Sequence, residues 1–178
     1  MNKLNLHKWL ITLISSLILS VASAAGSPFY DMEGKAHTFE EYKGNGKWLI
    51  VMFWASDCHV CAAEAHQYVE FHKTHQNKDA VVLGVSLDGR EGRADAAQFI
   101  KTHQLNFTNL IGEPEAVALE FMRITGEDWI GTPSFLAYGP HGELRARQVG
   151  AIPAPMIEQF IEQETAASLE GATTTKQN

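Results

Sequence analysis

The sequence predicts an α/β layer structure, a central mixed β-sheet flanked by helices. Three observations predict it. Trp48–Trp54 and Ala80–Leu87 are short apolar runs of the length and composition of buried strands. The stretches that follow them carry apolar residues at helical spacing. Near the C-terminus, Ser134–Tyr138 and Leu144–Val149 face each other as a hairpin across Gly139-Pro140-His141-Gly142. Strands that alternate with helices and end in a hairpin require a sheet with both parallel and antiparallel pairs.

The first 24 residues read as a signal peptide: Lys3 and Lys8, an apolar stretch from Trp9 to Val21, and the small residues Ala22-Ser23-Ala24. Thr12, Ser15 and Ser16 interrupt the stretch, which falls short of the roughly 20 residues of a membrane span. Cleavage is therefore expected, with an uncleaved membrane anchor as the alternative, and without a cysteine after the segment no lipid anchor is expected. Residues 25–164 form one domain, and residues 165–178 lack apolar periodicity and are expected to be a flexible tail. The net charge is −7, and removing Lys3 and Lys8 makes it −9, which argues against nucleic acid and anionic membrane surfaces as partners.

Within the domain, Phe29–Met32 and Ala36–Phe39 form a hairpin around Glu33-Gly34-Lys35. The buried strand Trp48–Trp54 follows, then a helix from about Cys58 to Thr74. Ala80–Leu87 is the second buried strand, closed by a turn at Asp88-Gly89. Arg93–His103, with Ala96, Ala97, Phe99 and Ile100, is a helix, and a short strand covers Phe107–Leu110. Pro114 suits the first turn of a helix reaching Met122. After the hairpin, Pro155–Gln163 is a closing amphipathic helix.

The chain has two cysteines, Cys58 and Cys61. They form either a reversible disulfide or half of a metal site. A strand running into a helix through Cys-x-x-Cys puts Cys58 at the helix N-terminus, where free N–H groups and the macrodipole favour a thiolate, the reactive form in thiol–disulfide exchange. Cys58 is thus the nucleophile and Cys61, one turn on and pointing inward, the resolving thiol. Haem attachment needs a histidine directly after the second cysteine, and Ala62 stands there. Zinc needs two further ligands, and His66 lies about 140° round the helix from Cys61. The Pro and Thr that precede a peroxidatic cysteine are missing. No metal or cofactor is expected. The other histidines, His66, His72 and His75 included, are read as surface residues. In Gly131-Thr132-Pro133-Ser134-Phe135 the proline cannot donate to a ladder and belongs at the start of its strand.

Phe53-Trp54-Ala55 leading into the cysteine pair, then Thr132-Pro133, then Gln148-Val149-Gly150-Ala151, resemble thioredoxin-like proteins in order and spacing. The resemblance covers nearly all of the chain after the leading segment. Within that superfamily the sequence is similar to the exported TlpA and ResA group of thiol–disulfide oxidoreductases. The leading hairpin with Asp31-Met32-Glu33-Gly34-Lys35, the extra segment from Arg90 to Met122, and Glu64 three residues after Cys61 carry that similarity. It implies a thioredoxin fold with an inserted segment before a cis-proline loop at Pro133. It also implies that Trp54, Thr132 and Pro133 bind substrate, Thr132 through backbone hydrogen bonds to an added strand. Glu64 then takes the proton of Cys61.

The implied function is periplasmic reduction of disulfides in exported proteins, with a membrane electron donor of DsbD type and apocytochrome c cysteines as one substrate class, hence a role in cytochrome c maturation. Two alternatives stand beside it. A DsbA-like oxidase runs the same exchange in reverse, but the large helical insertion of that group is absent. A non-catalytic copper- or zinc-binding module would use the two thiols as ligands.

Some positions depart from the family pattern. Asp57 stands where most members have an aromatic residue. Its carboxylate either opposes the Cys58 thiolate, by on the order of 1 kcal/mol, or caps the helix by accepting backbone N–H bonds. His59 and Val60 replace proline-containing dipeptides, and a protonated His59 would favour the thiolate. Met52 stands where thioredoxins proper carry a buried acid ahead of the Phe-Trp pair.

Overall fold

The protein is described by a computed structural model over residues 29–129 and 131–175, with the side chains of the last helix described to residue 170. The expected signal peptide lies outside these residues. Seven strands form one mixed sheet: β1 (Phe29–Tyr30), β2 (Ala36–His37), β3 (Trp48–Trp54), β4 (Ala80–Ser86), β5 (Thr108–Gly112), β6 (Ser134–Tyr138) and β7 (Leu144–Val149), in the spatial order β2-β1-β5-β4-β3-β6-β7. The helices are α1 (His59–His75), α2 (Arg93–Thr102), α3 (Pro114–Thr125) and α4 (Ala154–Thr175), with a 3-10 turn at Phe39–Glu41. β3 pairs in parallel with β4 and antiparallel with β6, and the leading hairpin docks through β1 onto β5. This is the thioredoxin arrangement with a hairpin added at one edge and β5 and its flanking helices inserted.

The continuous apolar run of β3 follows from its place at the centre of the sheet, where helices cover both faces. Ile50, Met52 and Trp54 pack with Cys61, Ala65, Tyr68 and Phe71 of α1, Phe99 of α2 and Ile157 of α4. On the other face, Leu49, Val51 and Phe53 meet Phe39 and the α3 residues Val117 and Phe121. α3 starts with Pro114 at its first position, which needs no N–H donor, and stops at Gly126, whose φ of 74° is the left-handed conformation glycine adopts freely.

Two expectations are corrected. His72 is buried, not a surface residue. It follows Cys61, Ala65 and Tyr68 along the inward face of α1, and its Nδ1 accepts the backbone N–H of Val82 at 3.0 Å. Burial holds its pKa below the ordinary 6.5. Residues 165–175, part of the segment 165–178 expected as a flexible tail, continue α4 to Thr175. Residues 165–170 are exposed, so that part of the helix rests on backbone bonding and on residues that tolerate helix, such as Ala166, Ala167, Leu169 and Glu170, rather than on an apolar face.

Candidate redox site

β3 ends at Trp54, and the chain turns through Ala55–Cys58, where the Cys58 N–H donates to the Ala55 carbonyl at 3.1 Å. Cys58 is the N-cap of α1. Its backbone is extended (φ −79°, ψ 99°) and its Sγ accepts the Cys61 N–H at 3.1 Å. The two cysteines form a disulfide with a Cα–Cα distance of 5.2 Å. Cys61 is fully buried, while Cys58 is partly exposed. Cys58 is therefore the more exposed of the two cysteines and Cys61 the sealed one, the asymmetry that a nucleophile and a resolving thiol need.

The register of β3 with β6 pairs Phe53 with Ser134, so the turn that carries Cys58 and the Thr132-Pro133 segment leave the sheet at the same end. The Thr132–Pro133 peptide bond is cis. Pro133 is buried and Thr132 half-buried. The Pro133 carbonyl accepts the N–H of Gly150 at 2.9 Å, and Gly150 has φ of 87°, a conformation suited to glycine. The loop beyond is tied back to α1, where the Tyr68 hydroxyl donates to the Ile152 carbonyl at 2.8 Å and the Ala154 N–H donates to Gln67 Oε1 at 2.6 Å. Among the described residues, neither backbone group of Thr132 has a backbone partner.

The remaining residues singled out in the sequence fall into place unevenly. Trp54 packs in the same cluster as Cys61 but is fully buried, stacks on Phe99 at 4.5 Å and donates from Nε1 to Asn109 Oδ1 at 3.1 Å. Its expected substrate contact is thus corrected: the side chain is fully buried on the face of β3 that α1 and α2 cover. Asp57 is exposed and is not the helix cap, since the chain enters the helix one residue later and Cys58 takes that role. With Ser56 it lines an open cleft of about 470 Å³ whose other wall is Asp95, Gln98, Phe99, Thr102 and His103. His59 is exposed in the first turn of α1. Glu64 is half-buried and accepts a hydrogen bond from Gln67 Nε2; among the described residues it makes none to either sulfur.

The sequence reading missed Asp88, taken there only as a turn residue. Its carboxylate accepts the Ser56 N–H at 3.1 Å and the Ser56 and Ser86 hydroxyls at 2.5 Å each. The signal available was a serine and an aspartate two residues apart at the end of a buried strand. Among the described residues there is no group of three His, Cys, Asp or Glu side chains that could hold a metal, and no helix is long and apolar enough to cross a membrane.

Comparison with known proteins places this geometry in context. The AhpC/TSA family profile matches residues 21–147. The peroxiredoxin Bcp of Bacillus subtilis (strain 168) is 29% identical over 89 residues, 49% of this chain and 54% of that protein, so the chain spans about half the length of the curated relative it matches. The exposed lipoprotein thioredoxin of Streptococcus pneumoniae strain TIGR4 is 25% identical with a TM-score of 0.59, covering 76% of this chain and 96% of that one. StoA from Bacillus subtilis is 20% identical with a TM-score of 0.58 over 74% of this chain and 92% of its own. A thiol:disulfide interchange protein from Chlorobium tepidum TLS is 20% identical with a TM-score of 0.62 over 77% and 93%. The last two likenesses carry the fold.

Proposed function

The chain belongs to the AhpC/TSA family, and we propose that it is an exported thiol–disulfide oxidoreductase that reduces disulfides in other exported proteins. The observation that carries this reading is the disulfide of a partly exposed Cys58 with a buried Cys61 at the N-terminus of α1. In the reduced protein the Cys58 thiolate attacks a substrate disulfide. A Cys58–substrate bond forms and the second substrate sulfur leaves as a thiolate. Cys61 then gives up its proton and attacks Cys58 Sγ, which restores the protein disulfide and releases the substrate sulfur that was bonded to Cys58. Two electrons pass from the pair to the substrate, whose two sulfurs take up the proton given up by Cys61 and one from solvent.

Glu64, one turn along α1 from Cys61, is our proton acceptor, exchanging its bond with Gln67 for that task. The backbone groups of Thr132, beside the buried Pro133 and without a backbone partner among the described residues, would pair with an extended substrate segment. Re-reduction requires a dithiol donor, for which we propose a membrane partner of DsbD type, and apocytochrome c cysteines are one fitting substrate class. Export rests on the leading 24 residues and agrees with the surface location in the name of the streptococcal relative.

The match to a peroxiredoxin favours a second reading. In it, Cys58 attacks a peroxide oxygen, becomes a sulfenic acid as water or an alcohol leaves, and condenses with Cys61 to the same disulfide with loss of water. Offering the reduced protein a peptide disulfide and hydrogen peroxide in parallel separates the two. Our reading predicts faster oxidation by the peptide disulfide, abolished in Cys58→Ser; faster oxidation by peroxide would make the peroxidase reading the better one. Exchange at the wild-type rate in Cys58→Ser would end both.

A further inference from the structure

The structure assigns Asp88 as a positioning residue for the redox pair: its carboxylate holds the turn that carries Cys58 and so sets how strongly the two sulfurs favour the disulfide. Asp88 follows β4 and is anchored there. Its own N–H donates to Ser86 Oγ at 3.0 Å, and the hydroxyl of the fully buried Ser86 donates back to Oδ2 at 2.5 Å. Between them, Leu87 donates its N–H to the Trp54 carbonyl at 2.9 Å, which locks the ends of β3 and β4 together. From this base the carboxylate reaches across 32 residues of sequence to Ser56, two positions before Cys58. It takes the Ser56 N–H on both oxygens at 3.1 Å and the Ser56 hydroxyl on Oδ1 at 2.5 Å.

These are charge-assisted bonds to a partly buried carboxylate, the stronger kind of hydrogen bond. The turn is closed on its other side by the Cys58 N–H on the Ala55 carbonyl. While the disulfide is intact, Cys58 has a covalent tie to Cys61. Once it is reduced, Cys58 keeps its place through the turn, and the turn through Asp88.

The consequence is thermodynamic and rests on the redox reading given above. In the equilibrium of the protein disulfide plus two glutathione thiols with the protein dithiol plus glutathione disulfide, a fixed turn keeps the thiols close and favours ring closure. A loosened turn gives the dithiol freedom that the disulfide cannot share. Releasing Asp88 from Ser56 therefore shifts the equilibrium toward the dithiol and makes the pair more oxidising. It also destabilises the oxidised fold more than the reduced one.

The test is glutathione equilibration of the full chain, wild type, Asp88→Asn and Ser56→Ala, with the dithiol fraction read by alkylation and mass. Asp88→Asn keeps the size but sets an amide where a second acceptor oxygen stood. Its equilibrium constant for reduction should rise about three- to tenfold, tenfold being about 30 mV for this two-electron couple. Ser56→Ala removes the hydroxyl alone and should shift the same way by less. Should Asp88→Asn fail to fold, Ser56→Ala decides alone. A wild-type ratio in the folded variants, with both redox forms destabilised equally, would make the network a fold contact and overturn the inference. A wild-type protein that does not equilibrate with glutathione would instead sink the redox reading on which it rests.

Discussion

The Sγ of Cys58 accepts the backbone N–H of Cys61 at 3.1 Å while it is bonded to the Cys61 sulfur, so one atom caps helix α1 and closes the disulfide. Opening the disulfide leaves that sulfur with the Cys61 N–H as a donor at the positive end of the helix, an arrangement that favours its anionic form. Cys61, sealed from solvent, has neither advantage. In the reduced protein, iodoacetamide should therefore modify Cys58 well before Cys61. Cys61→Ser should accumulate a stoichiometric mixed disulfide with a peptide substrate, and Cys58→Ser should accumulate none. Equal alkylation rates, read by peptide mass, would refute the assignment of roles.

Much of this was legible in the sequence. β3 and β4 announced themselves as unbroken apolar runs, and the Cys58/Cys61 and Thr132/Pro133 pairs carry their meaning within a few residues. What escaped reading depends on contacts between distant segments. β3 is buried on both faces, so alternation could not say toward which side Trp54 points. The Ser56 and Asp88 contact spans 32 residues and leaves no periodic trace. A histidine on a helix is usually a surface residue, and His72 departs from that because the backbone of Val82 and the ring of Phe107 approach it from distant segments. The end of α4 lacks the apolar spacing that marks a helix in the sequence, yet a helix already nucleated against the core propagates without it.

Gly84 gives a sharper test of the packing below the site. A Cβ at this position would lie 2.0 Å from Asn109 Oδ1 and 2.9 Å from Trp54 Nε1, inside the hydrogen bond those two side chains make. Because β4 is an interior strand, its backbone cannot move aside. Gly84→Ala should destabilise the fold by about 1–3 kcal/mol in denaturant unfolding. A change within about 0.5 kcal/mol, the scale of a neutral surface substitution, would show that the Trp54 and Asn109 contact is not held as described.

Two histidines should titrate on opposite sides of 6.5. His37 lies between carboxylates, with Nε2 on Asp31 at 3.0 Å and Nδ1 on Glu41 at 2.9 Å, and the hydrogen bond to Asp31 followed by that to Glu41 raises its pKa. Asp31 is lowered from 3.8, chiefly by His37, and Glu41 from 4.5, chiefly by the Thr38 N–H. The stabilisation from His37 is complete below 6.5 and is lost as pH rises through its raised value. That from the carboxylates is complete above their ordinary values and is lost as pH falls through the lowered ones. His37→Gln should therefore cost more stability near pH 5.5 than near pH 9.

His72 behaves oppositely. Its folded pKa is depressed by burial, so the stability linked to it is complete above 6.5 and is lost as pH falls toward the folded value. Ring-proton NMR titration reads both groups directly. His72 titrating above 6.5, or His37 below it, would contradict the contacts described for that residue.

In the function proposed, Cys58 and Cys61 are a reversible dithiol poised to reduce. Its most direct test is a redox titration of the chain without its first 24 residues, with the dithiol fraction followed by alkylation and mass. One two-electron transition is expected, with a potential at or below about −220 to −260 mV, the glutathione range. A potential near the roughly −120 mV of a strong oxidant, or no reversible transition at all, would contradict it.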